Sequence, residues 1–167
     1  MTRYRTYAEY LRQKYGEKVY KLPISLPVTC PNRDGTCGTD GCVFCGEIGA
    51  GYENLPETVT VSQQIALNKA HISPKYKANK FIPYFQNFSN TYLAPDRLDK
   101  YLSEAYQEGI VEIAIATRPD CVHDRHLEVL KRFQSRYSIN ITLELGLQTV
   151  NYHSLYKINR GPTLAEW

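Results

Sequence analysis

Four of the five cysteines in this chain, Cys30, Cys37, Cys42 and Cys45, lie within one short run, C-P-N-R-D-G-T-C-G-T-D-G-C-V-F-C-G-E. Thiolates select soft metals, chiefly zinc or iron–sulfur. Cys42 and Cys45 form a C-x-x-C pair, which lets two sulfurs reach one centre from a tight turn. The glycines between the cysteines give the backbone freedom to wrap around an inorganic core. Three readings compete. A thioredoxin-like redox pair needs its C-x-x-C at a helix start, and this one sits inside a glycine loop. A structural zinc site using all four cysteines is chemically allowed. Such sites, however, usually join two close-spaced knuckles, and only Cys42/Cys45 makes one here. The third reading is an iron–sulfur centre.

Composition bounds the rest. The 167 residues carry 20 Lys+Arg against 17 Asp+Glu, a net charge of +3, which is too small to argue for nucleic-acid binding on its own. A mean hydropathy of −0.44 and the lack of any 18-residue apolar run predict no transmembrane span. The N-terminal sequence has no apolar signal region, so the expected compartment is the cytoplasm. In a reducing compartment, clustered cysteines more often bind metal or do redox chemistry than form disulfides.

The elements that must position the loop follow from periodicity. A helix is expected over 6–15, stopped by Gly16, then a strand over 18–28 that leads into the cysteine loop. Helices are expected over 61–71 (capped by Thr60 or Ser62), 95–108, 123–137 and 150–158. Strands are expected over 81–86, 111–116 and 139–147. Pro95 opens its helix, and Leu127, Leu130 and Phe133 share one face of theirs. Regular β-α alternation predicts an α/β fold with a parallel sheet, and leaves open sheet and partial barrel undecided. Residues 1–18 read as a helical extension and 19–167 as the core. Ligands in such folds sit at the C-terminal ends of strands, where the cysteines fall.

The cysteine pattern Cys30-x11-Cys42-x2-Cys45, with Phe44 before the last Cys, resembles the radical S-adenosylmethionine superfamily. Its long first gap departs from the usual C-x3-C-x2-C but matches a small subfamily that opens C-P-N-R-D-G and closes G-C-x-F-C. Thr117-Arg118-Pro119-Asp120 and Glu144-Leu145-Gly146-Leu147-Gln148-Thr149 resemble stretches of the radical domain in the Elongator catalytic subunit. The runs from Gln86 to Tyr92 and from Ile158 to Gly161 are similar to further subfamily motifs.

The resemblance implies that Cys30, Cys42 and Cys45 hold three irons of a [4Fe–4S] cluster, with Cys37 outside the motif. The open fourth iron would chelate S-adenosylmethionine, and one electron would cleave it to methionine and a 5′-deoxyadenosyl radical. Ser89, Asn90, Thr117, Arg118, Gln148 and Thr149 are the expected cofactor-binding rim. Arg118 would pair with the methionyl carboxylate and Gln148 with the ribose, whereas Asp120 reads as a helix cap. The implied substrate is tRNA, at the carboxymethylaminomethyl-to-aminomethyl step of wobble uridine; a small, porphyrin-type substrate is the related alternative. The implied electron donor is of flavodoxin or ferredoxin type. The implied fold is the N-terminal part of a partial (β/α)6 barrel. Only four β-α steps fit the chain, so a truncated piece is expected, with β-edge dimerisation as a consequence. The rival from another class is a non-enzymatic zinc or closed-cluster module.

Three smaller expectations complete the reading. Cys121 is a core or loop thiol. His123 and His126 form a solvated helix face, and His71 and His153 lack a metal-like pairing. The Arg, Lys and Tyr residues of 3–21 suit an amphipathic helix packing its rings on the sheet, with an RNA-contacting surface as the alternative.

Overall fold

The computed structural model describes residues 3–49, 51, 53–161 and 163–166. Met1 and Thr2 of the expected extension and Trp167 at the expected core's end lie outside the described residues.

Helix α1 (Tyr7–Tyr15) is capped by Thr6, whose side chain accepts from the Glu9 amide while Glu9 reaches back to the Thr6 amide, and it closes at Gly16. Strand β1 (Val19–Ile24) follows, and then the long cysteine segment. Helix α2 (Val61–Tyr76) uses Thr60, not Ser62, in a second capping box. β2 (Lys80–Phe85), α3 (Pro95–Ala105), β3 (Glu112–Thr117), α4 (Asp124–Tyr137), β4 (Asn140–Leu145) and α5 (Tyr152–Lys157) complete the order. A single 3-10 turn, Leu164–Glu166, lies beyond α5.

The fold is α/β. Its four strands are parallel and lie in the order β1-β2-β3-β4. Tyr20 stands opposite Phe81, Phe85 opposite Ile115, and Ile113 opposite Ile141. Alternation along the strands separates two faces. Leu22, Ile24, Phe81, Phe85, Ile113 and Ile115 join Ile65 of α2, Leu98 and Leu102 of α3, and Phe133 of α4 in one core, so these three helices cover the same face. Sequential order with the three crossover helices α2, α3 and α4 on one side is a singly wound sheet, and it is not closed into a barrel.

The opposite face carries Lys21, Ile82, Tyr84, Glu112, Ala114, Thr142 and Glu144. Helix α1 covers only its lower end, packing Leu11 against Val19, Ile82 and Ala114, with Tyr15 alongside. There Glu112, with a side chain 3% exposed, accepts from Lys14 Nζ at 2.8 Å, Tyr15 Oη at 2.5 Å and Thr142 Oγ1 at 2.8 Å. Burial would raise its pKa, but these donors outweigh burial and lower it. Tyr7 and Tyr10 do not pack flat on the sheet. Both stay exposed, with Arg5 5.1 Å from the Tyr10 ring centroid and Lys21 5.5 Å from that of Tyr7.

Several boundaries differ from the sequence reading. β1 ends at Ile24 because side chains take over its backbone bonds. Gln64 accepts from the Ser25 amide at 2.8 Å and donates to the Ser25 carbonyl at 2.9 Å. Asn87 does the same for Leu26 at 3.0 and 2.8 Å. α3 stops at Ala105, short of 108, because Tyr106 turns away to pack 4.5 Å from the Tyr137 ring. α2 runs on through Pro74, anchored by Tyr76 stacked 4.5 Å from Tyr20. Leu127 faces solvent, and Val129 takes its place in the core beside Leu130 and Phe133. Among the described residues no helix is long and apolar enough to cross a membrane.

Candidate functional site

The upper end of the sheet's second face, which α1 leaves open at the C-terminal ends of the strands, holds a cavity of about 370 Å³. Cys30, Cys42 and Cys45 all line it, as do Ser89 after β2, Thr117 at the end of β3, Arg118 after it, and Gln148 after β4. Cys37 is exposed and does not line it. The structure therefore brings together three of the four loop cysteines and sets the fourth apart. Among the described residues no three His, Cys, Asp or Glu side chains converge closely enough to hold a single metal ion. A multi-iron cluster takes its thiolates on separate metal atoms.

Each cysteine has its own support. Cys30 Sγ receives the Ser89 hydroxyl at 3.4 Å and Arg118 Nη1 at 3.4 Å. Cys42 Sγ receives Asn32 Nδ2 at 3.6 Å and Arg160 Nη1 at 3.9 Å. Arg33 donates to the carbonyls of Cys45 and Gly46 at 2.9 and 2.6 Å and lies 5.3 Å from the Phe88 ring. Burial pushes the Cys45 thiol up, and the Arg33 guanidinium opposes that.

The rim residues divide. Arg118 reaches the cavity, but Asp120 holds it, accepting from Nε at 2.9 Å and from Nη2 at 2.5 Å. Burial disfavours the Arg118 charge, and Asp120 and Cys30 outweigh it, so its pKa is raised. Asp120 thus serves as the partner of Arg118, and the expectation of a helix cap is corrected: the short turn Pro119–Cys121 has no side-chain cap. Thr117 is buried and shares a 2.6 Å hydrogen bond with Thr91. Gln148 is exposed at the mouth, in a left-handed conformation with φ 70°.

Two expected rim residues do not line the cavity. Asn90 is fully buried and donates to the carbonyls of Phe85, Asn87 and Ala116, tying the ends of β2 and β3. Thr149 faces away, its hydroxyl accepting from the Asn151 amide at 3.1 Å at the start of α5. His126 is a further correction: it is 5% exposed, caps α4 through the His123 amide and bonds the Leu93 carbonyl at 2.9 Å. Cys121 is buried, and burial pushes its thiol up to about 12.

Sequence reasoning assigned no role to Tyr84, Glu144 or Arg160, which also line the cavity. Lys21 pairs with Glu144 on the half-exposed floor and lies 4.0 Å from the Tyr84 ring centroid. Strand alternation would have found these two, since Tyr84 and Glu144 share the polar face with Lys21. Arg160 Nη2 donates to the Gly146 carbonyl at 2.7 Å. Its Nε is buried without a hydrogen-bond partner among the described residues, an orphaned donor of the kind a bound acceptor satisfies.

No family model matches the chain. It is 38% identical over 160 residues to the uncharacterized protein YtqA of Bacillus subtilis, a match covering 95% of this chain and 49% of that protein. It is 34% identical over 156 residues to protein YhcC of Escherichia coli, covering 93% and 49%. It is 27% identical over 163 residues to the uncharacterized protein MJ0486 of Methanocaldococcus jannaschii, covering 96% and 49%. The chain spans about half the length of the curated relatives it matches.

Proposed function

We propose that the cavity is the cofactor site of a radical S-adenosylmethionine enzyme, with Cys30, Cys42 and Cys45 holding a [4Fe–4S] cluster. The observation that carries this reading is the sorting of the loop cysteines: those three line one cavity at the strand ends, and Cys37 stands outside it. When bound, such a cluster supplies the electron that cleaves S-adenosylmethionine reductively. A closed four-cysteine module would need Cys37 as well.

The chain's own residues do the holding. Ser89 and Arg118 orient Cys30, Asn32 and Arg160 orient Cys42, and the guanidinium groups offset the charge of three thiolates. With Arg118 committed to Asp120, the cation for the methionyl carboxylate is Arg160, whose Nε has no other acceptor among the described residues. Gln148 stands at the mouth for a polar contact with the ribose. Phe44 and Phe88 line the same space as apolar walls.

The finer fold in this reading is the first part of a (β/α)6 barrel, with the face bearing Tyr84 and Glu144 turned inward; the singly wound order supports it. The substrate is the wobble uridine of tRNA, the electron donor a small flavodoxin- or ferredoxin-type protein, and the compartment the cytoplasm. The half-exposed edge strand β4 is the surface through which copies would pair. Bulk tRNA nucleoside analysis in a strain lacking the protein tests the substrate. Loss of the aminomethyl form with build-up of its carboxymethylaminomethyl precursor is expected, and an unchanged wobble-uridine profile rejects it.

A further inference from the structure

We propose that the segment Ile158–Gly161 is a clamp that sets the cysteine loop in shape before any metal arrives, with Asn32 and Asn159 as its positioning residues. Two carboxamides cross between the segment and the loop in opposite directions. Asn32 Nδ2 donates to the Asn159 carbonyl at 2.6 Å, and Asn159 Nδ2 donates to the Gly41 carbonyl at 2.7 Å. The Val43 amide adds a third bond, to the Ile158 carbonyl at 3.1 Å. The bonds at Gly41 and Val43 bracket Cys42, and Asn32 Nδ2 is itself 3.6 Å from its sulfur.

The loop has no helix or strand of its own from Cys30 to Cys45. Turn bonds such as the Cys37 amide to the Pro31 carbonyl at 2.7 Å and the Gly41 amide to the Asn32 carbonyl at 2.8 Å shape its interior, and the clamp contacts hold that shape against the rest of the fold. Asn32 is 2% exposed; a donor so buried must be matched. Asn159 sits at φ 52°, a conformation asparagine tolerates better than most residues. Gly161 permits the approach: a Cβ there would lie 2.8 Å from Arg118 Nη2 and 3.0 Å from Asn32 Oδ1. The clamp is in turn moored to the end of β4 through Arg160 and the Gly146 carbonyl. Cys37 is exposed, whereas Cys42 is buried.

That the held shape serves a cluster rests on the proposed function; the clamp itself does not, and its test uses the metal-free chain. Iodoacetamide trapping followed by mass spectrometry gives a modification rate for each cysteine. In the wild type Cys37 reacts fast and Cys42 slowly. In Asn159→Gly, which keeps the left-handed backbone and removes only the carboxamide, Cys42 is expected to react about tenfold faster while Cys121 is unchanged, the loss of about one hydrogen bond. Asn32→Asp, which removes both donated bonds, is expected to give at least the same rise. A Cys42 rate that does not rise, or rises only in step with Cys121, overturns the clamp. Iron–sulfide reconstitution of the same proteins separates the two readings. Selective exposure of Cys42 in Asn159→Gly, together with a wild type that takes up no iron, upholds the clamp and rejects the cluster.

Discussion

Arg118 joins Asp120 to Cys30: its Nη1 lies 3.4 Å from the Cys30 sulfur while its Nε and Nη2 are gripped by the Asp120 carboxylate. The guanidinium is 3% exposed and the carboxylate 15%, so this is a buried pair. Breaking such a pair leaves a charge without compensation. Asp120→Ala is therefore expected to lose about 2–4 kcal/mol in urea unfolding, with Asp120→Asn losing less. A loss within about 0.5 kcal/mol, as for a surface substitution, would contradict it.

Asn90 and Gln148 separate support from binding. Asn90→Ala strips donors from three carbonyls at the ends of β2 and β3 and is expected to cost about 2–4 kcal/mol of folding stability. Gln148→Ala, at an exposed position, is expected to leave the unfolding midpoint in place and to weaken S-adenosylmethionine binding to the reconstituted protein. Equilibrium dialysis alongside urea unfolding reads both. The reverse pattern would exchange the two roles.

Glu112 makes stability depend on pH. Its folded pKa lies below the ordinary 4.5, with Lys14, Tyr15 and Thr142 as donors outweighing burial. A lowered carboxyl pKa contributes stability that is present above the unfolded value and lost as pH falls through the folded one. The wild type is thus expected to exceed Glu112→Gln in stability at pH 7, and the gap to shrink as pH drops below about 4.5. A gap that widens in acid would reverse the assignment. Unfolding free energies across the acid range read it directly.

Much of this architecture is legible in the order of the amino acids. β2, β3 and α4 emerge almost to the residue, because a short apolar run between polar segments marks a buried strand and a strongly amphipathic helix has one dominant period. The end of β1 is not legible, since Gln64 and Asn87 capture its backbone from elements far along the chain. The short α3 has the same kind of cause, as Tyr106 packs on the ring of Tyr137 instead of adding another helical turn. In the site, motif position anticipated which residues line the cavity: the three cysteines, Ser89, Thr117, Arg118 and Gln148. It failed for Asn90 and Thr149, because lying just after a strand does not say whether a side chain points to the cavity or back to a carbonyl. His126 failed for a related reason: spacing alone does not reveal that Leu93 offers it a buried acceptor.

If the proposed centre is right, three cysteines and not four make it. Anaerobic reconstitution of the wild type, Cys30→Ala, Cys37→Ala, Cys42→Ala and Cys45→Ala, with iron, sulfide and zinc assayed per chain, tests this most directly. The expected result is about four irons and four sulfides in the wild type and in Cys37→Ala, with an absorption spectrum that S-adenosylmethionine perturbs, and loss of both in the other three. One zinc per chain, lost from Cys37→Ala as readily as from Cys45→Ala, would contradict it.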